Sequence, residues 1–199
     1  SHPFHDLFEA HNRNRQEWLR HFFCDGNCLC ISSALFRRHH YSVIGCPDRR
    51  FHQLPDLDLW VRLCLQAEIH ILPARLTRFR VHGNGANASA ANRITRVRDL
   101  WESIYVYRHY LEIDDQAELL RVFPEACDFA DPEFPLRRNE IRFVVAQMAL
   151  KQAERSPRWG FFGLNTIFQL MADPETATQL HFRFGFAFRD LIKLTGELD

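Results

Sequence analysis

Lysine is almost missing from this chain. Of 25 basic residues only Lys151 and Lys193 are lysines, and the rest are arginine. The basic total is matched by 25 acidic residues, so there is no global field to draw in nucleic acid or an anionic membrane. No apolar run approaches the length that crosses a bilayer, and no amino-terminal segment reads as a secretory signal. No internal repeat or low-complexity tract is present. The six cysteines (Cys24, Cys28, Cys30, Cys46, Cys64 and Cys127) are not spaced as a disulfide scaffold, which argues for a reducing, cytoplasmic setting.

What is present suits a globular chain. At 199 residues with 46% hydrophobic and 25% charged content, it can bury one good core or about one and a half domains. Eighteen Phe and four Trp supply the bulk, and many of the Phe fall in the last forty or so residues. Arginine, the dominant cation, is the better residue for bidentate contact with phosphate.

Periodicity predicts helices over residues 4–22, 33–38, 56–67, about 90–112, 115–122, 136–155, 161–172 and 175–195. Short strands are expected at 28–31, 69–72 and 77–82. The long central helix is expected to bury a seam of Ile94, Val97, Trp101, Ile104, Arg108 and Leu111, with Ser89 or Asn92 as its cap. In the last helix, Phe182, Phe186 and Arg189 should share a face, with Phe184 and Phe188 adjoining. Strands confined to the first eighty or so residues give an α+β chain, predominantly helical. Its organisation is expected to be an α/β part over 1–112 and a helical extension over 113–199.

Asp56 and Asp58 are the most informative carboxylates. Two positions apart on a helix is a rotation of about 200°, so they cannot act as a pair on one face. Asp58 stands four residues before Arg62, the spacing of an ion pair. Asp56 stands at the helix start, where a carboxylate accepts orphan backbone N–H groups. The spelling Asp56-Leu57-Asp58 is not the metal-binding Asp-x-Asp of nucleotide-sugar enzymes, which ends a buried strand. Here Phe51-His52-Gln53-Leu54-Pro55 precedes it.

Alternation over 77–82 puts Arg78, Arg80 and His82 on one face, running into the glycine loop Gly83-Asn84-Gly85. Such a row suits a diphosphate or its metal, and equally describes a solvated strand face. Cys24, Cys28 and Cys30 with His21 match no zinc spacing and read as packed thiols. Arg155-Ser156-Pro157-Arg158-Trp159 and the sequon Asn87-Ala88-Ser89 carry no functional weight.

Four segments taken in order resemble bacterial family 2 glycosyltransferases: Asn27–Arg38, Val43–Asp48, Leu54–Leu63 and Leu76–His82. The likeness covers roughly residues 27–89. It implies the carboxy-terminal, acceptor-side part of a GT-A type fold that uses a nucleotide-diphosphate sugar and a divalent metal, manganese or magnesium. It also implies an inverting transfer to a glycan or lipid-linked acceptor in polysaccharide synthesis. Asp56 matches the family's catalytic base, although Pro55 stands where relatives carry glutamate. Arg78, Arg80 and Asp58 fall on the substrate and diphosphate side, and His82 on the metal.

No segment before residue 27 supplies the family's nucleotide-binding strands, so this chain alone is expected to transfer nothing. The aromatic tail is expected to support self-association or contact with a membrane surface. The alternative reading is a non-catalytic helical domain that docks a partner protein or membrane surface.

Overall fold

Asn14 starts the first helix in a computed structural model, which describes residue 8 and residues 10–78, 80, 92–131 and 133–196. Its side chain accepts from the Glu17 amide at 2.9 Å, and the Glu17 carboxylate accepts from the Asn14 amide at 2.9 Å. This reciprocal capping box satisfies two orphan donors and sets α1 at Arg15–Cys24, a later start than periodicity predicts. Residues 4–7 and 9 of the predicted span lie outside the described residues.

The chain divides into two compact units, Ser1–Glu102 and Ser103–Asp199. The division falls earlier than the 112/113 boundary read from the sequence. Both units are built of helices, and no strand occurs among the described residues.

The first unit holds α1, α2 (Arg38–Ile44), α3 (Pro55–Cys64) and the opening turns of α4 (Arg93–Arg108). α1 packs on α3, burying Trp18, Leu19, Phe22 and Phe23 with Leu57, Leu59, Trp60 and Val61. Arg15 ties the pair by donating to the Cys64 and Leu65 carbonyls at 3.3 and 3.1 Å, at the negative end of α3. Phe36 stacks on Trp60 with centroids 5.3 Å apart.

The expected strands fail for local reasons. Around residues 28–31, Asn27 Oδ1 accepts from the Leu29 amide and Ser33 Oγ donates to the Cys30 carbonyl. Short polar side chains thus capture backbone groups a ladder would need, and Ile31–Ser33 closes as a 3₁₀ turn. At 69–72 the Asn12 amide takes both backbone groups of Ile71, at 2.9 and 2.6 Å. Of the third strand, Thr77, Arg78 and Arg80 have no regular structure, while Phe79, Val81 and His82 lie outside the described residues.

The second unit continues through α5 (Gln116–Val122), α6 (Arg138–Leu150), α7 (Pro157–Met171), α8 (Pro174–Phe184) and α9 (Phe188–Gly196). α6 is buried on most of its surface and runs against α7. Gly163 allows their close approach. A Cβ there would lie 2.8 Å from Leu150 Cγ and 2.9 Å from the Ala146 carbonyl oxygen. Tyr107 stacks against Trp159 at 6.1 Å and meets Phe162 edge-on at 5.7 Å. Arg158 and Arg155 lie over the Trp159 ring at 4.3 and 5.5 Å, so the Arg-Ser-Pro-Arg-Trp run is a packing device.

Two face assignments are overturned. Ile94, Val97 and Trp101 are exposed, whereas Glu102, Ser103, Val106 and Tyr107 are buried. The apolar spacing pointed to one face of α4, but polar and tyrosine contacts turn another inward. In the tail, Gly185 at φ +67° ends α8 in a left-handed cap. One predicted helix becomes two, so Phe182 and Phe186 share no face. Phe184 and Phe186 fold back on Phe143 at 5.0 and 5.1 Å, and Phe182 is left 92% exposed.

Gly163→Ala should force α6 and α7 apart or push Leu150 off its rotamer, lowering stability by about 1–3 kcal/mol. Urea unfolding of the full chain measures it, and an unchanged midpoint would show that the contact is not tight.

Candidate functional site

α3 opens without a capping side chain. Its N-cap is Leu54, its first helical residue is Pro55, and Asp56 comes next rather than capping the helix itself. A leucine cannot accept the orphan amides of the first turn. The segment leading into the helix is held instead from α4. The Glu102 carboxylate takes the backbone N–H groups of His52, Gln53 and Leu54 at 3.0, 2.8 and 2.8 Å. Glu102 is buried, and three charge-assisted bonds satisfy what would otherwise be a costly buried charge.

Asp56 is half-buried on the first turn of α3. Its Oδ1 accepts from the Leu57 amide at 2.9 Å and its Oδ2 from Asn27 Nδ2 at 2.7 Å. Burial raises its pKa above the ordinary carboxylate value, against the two backbone hydrogen bonds and that of Asn27, which pull it down. The carboxyl is therefore fixed in direction yet more basic than a solvated aspartate.

Asp58 points elsewhere, as the helical rotation requires. It is 1% exposed and pairs with Arg62, Oδ2 lying 2.6 Å from Nη2 and 2.9 Å from Nε. The same guanidinium gathers the carbonyls of Ile44, Gly45 and Cys46, the last two at 3.5 and 3.4 Å. The ion pair expected from the i,i+4 spacing thus also anchors the loop that follows α2. Gly45 makes its turn there at φ +77°. Beyond it Asp48 is held down to about 2 by bidentate contact with Arg50, at 2.6–3.0 Å.

Of the other sequence candidates, Arg78 and Arg80 are exposed on irregular chain, and His82 lies outside the described residues. All six cysteines are free thiols: Cys64 is buried, Cys24, Cys28 and Cys30 are half-buried, and Cys46 and Cys127 are exposed. His21 Nε2 lies 3.1 Å from Cys28 Sγ, but burial pushes the thiol up and the imidazole down. The pair is a neutral thiol beside a neutral ring, the wrong charge state for a nucleophile. Among the described residues no group of three His, Cys, Asp or Glu side chains could hold a metal ion, so they do not make a metal centre by themselves.

Sequence reasoning missed Glu102, which sits inside a helical pattern and carries no local signal of its role. Asn27 was within reach, since Asp25-Gly26-Asn27 reads as a turn after a helix, but nothing in its spacing points to Asp56. No helix among the described residues is long and apolar enough to cross a membrane. Comparison with family models, with curated proteins and with solved structures gives no match.

Glu102→Gln keeps the shape but replaces one acceptor by an amide facing backbone N–H groups. It should cost about 1–3 kcal/mol of stability in denaturant unfolding. A loss below the error of the measurement would show that water serves the three amides equally well.

Proposed function

We propose that these residues form the acceptor side of an inverting sugar transferase of GT-A type, with Asp56 as general base. The observation that carries the reading is the state of Asp56. It is half-buried, made more basic by burial, and aimed by Asn27 and the Leu57 amide. A positioned carboxylate of raised pKa is what proton removal from a hydroxyl calls for. The order of the four sequence segments supports the same assignment.

In this mechanism the acceptor hydroxyl gives its proton to a carboxylate oxygen of Asp56. The hydroxyl oxygen forms a bond to the anomeric carbon as that carbon's bond to the diphosphate oxygen breaks. The electron pair leaves with the nucleoside diphosphate. Arg78 and Arg80 are suited to meet its charge, and the Asp58–Arg62 pair keeps the loop beside α3 in place. The resemblance brings in manganese or magnesium, with His82 as the contribution of this chain. The described residues do not complete such a site.

The donor is a nucleotide-diphosphate sugar and the acceptor a glycan or lipid-linked sugar, with no role for nucleic acid. The setting is the cytoplasm, with self-association or peripheral membrane contact. A second reading, a helical module that docks a partner protein or membrane surface, draws on the exposed Phe161, Phe168, Phe182 and Phe188.

Asp56→Asn separates the two. In an enzyme carrying these residues together with a nucleotide-binding half, it should lower turnover by about 100-fold or more. Stability at neutral pH should hold or rise. A carboxyl whose folded pKa is raised favours the folded state below its unfolded pKa, and that contribution is lost as pH rises through the folded value. Removing the desolvated charge therefore offsets, at pH 7, the loss of the acceptor that faces Asn27. Normal turnover with normal folding would leave Asp56 a structural residue and favour the docking module.

A further inference from the structure

The second unit contains a cleft of about 600 Å³ whose walls come from the end of α4, α6, α7 and the start of α8. Its lining combines Leu111 and Leu170 with a particular set of polar groups. Arg108 and Arg142 supply two guanidiniums, Asn139, Asn165 and Gln169 supply amides, and Asp173 supplies one carboxylate. None of these residues takes part in the arrangement around Asp56.

One wall is rigidly set. Arg142 Nε donates to the Leu111 carbonyl at 3.3 Å and its Nη1 to Asn139 Oδ1 at 3.2 Å. Asn139 Nδ2 donates to Thr176 Oγ1 at 2.9 Å, and that hydroxyl donates to Asp173 Oδ2 at 2.6 Å. Each polar group is oriented by the next, from the guanidinium to the carboxylate. The hydroxyl and amide of Thr176 also hold the Asp173 carboxyl below the usual carboxylate range, so it faces the cleft ionised. Nη2 of Arg142 has no protein partner among the described residues. Asn165 and Gln169, one helical turn apart on α7, bring amides that both donate and accept.

Such a wall fits a ligand that offers an oxyanion to arginine and hydroxyls to amides and a carboxylate. From the cleft chemistry we infer that the helical unit binds an anionic sugar, a polyhydroxylated ring carrying a carboxylate or a phosphate. The oxyanion lies against Arg108 and Arg142, whose planar forks suit bidentate contact. The ring hydroxyls meet Asn165, Gln169 and Asp173, each hydroxyl able to donate to the carboxylate and accept from an amide. The inference does not rest on the role given to Asp56, and it stands or falls separately.

Calorimetry and amide NMR on the full chain test it, with glucuronic acid, a glucose phosphate, inorganic phosphate and glucose as probes. The expected result is that the sugar anions bind at least about tenfold tighter than inorganic phosphate or glucose. If only one of the two sugar anions does so, the inference holds and the oxyanion is identified. Arg108→Ala should weaken the sugar anions by about tenfold. Gln169→Ala should weaken them by a smaller factor while leaving inorganic phosphate unchanged. Both sites are exposed, so these variants remain informative even if Arg142→Ala fails to fold. Inorganic phosphate binding as tightly as the sugar anions would overturn the inference, as would silence from all four probes at about 10 mM. Binding that ignores both substitutions would overturn it too.

Discussion

The segment that leads into a helix beginning with leucine and proline must be held from elsewhere, and in this protein one carboxylate does it. Glu102 gathers the N–H groups of His52, Gln53 and Leu54 and so fixes the segment that feeds into α3. Everything the site depends on follows from that entry. It sets where Pro55 starts the helix, on which turn Asp56 falls, and which way Asp58 points. Glu102 takes the amides before the helix, while the Asp56 carboxylate accepts the Leu57 amide of the first turn.

Three carboxylates thus cluster in sequence or space around the first turn of α3, and their partners give them three different characters. Glu102 is buried among amide donors and Asp58 is buried against a guanidinium. Asp56 has one side-chain amide, the Leu57 and its own backbone amides, and partial exposure. Asp56 combines a fixed direction with a charge that its surroundings leave under-stabilised. Removing Arg62 would take the guanidinium from the buried Asp58 carboxylate and release three loop carbonyls, so the ion pair is structural even where it borders the site.

Much of the helical framework was legible because it rests on local signals. Asn92 caps α4 as read, accepting from Ile94 and Thr95. Pro55 marks α3, and the Asp58–Arg62 pair follows from i,i+4 spacing alone. What was illegible depends on distant partners. The strand expectations failed where Asn12 and Asn27 took backbone groups that β-propensity assigns to a ladder. The α4 seam failed because hydrophobic spacing cannot anticipate that a glutamate is drawn inward by three amides about fifty residues upstream. The tail was misjoined at Gly185, a residue compatible with helix in a pattern yet here held at positive φ. In the candidate site, Asp56 was identifiable by position, while Asn27 and Glu102, which give it its character, were not.

Asp56 is held as a directed carboxylate made more basic by burial. Carboxyl carbon NMR of Asp56, followed across a pH titration of the folded full chain, tests this without any substrate. The predicted midpoint lies above the ordinary aspartate value. In Asn27→Ala it should move further up, because the lost hydrogen bond is one that stabilises the charged form. A midpoint at or below the ordinary value, unmoved by Asn27→Ala, would contradict the claim.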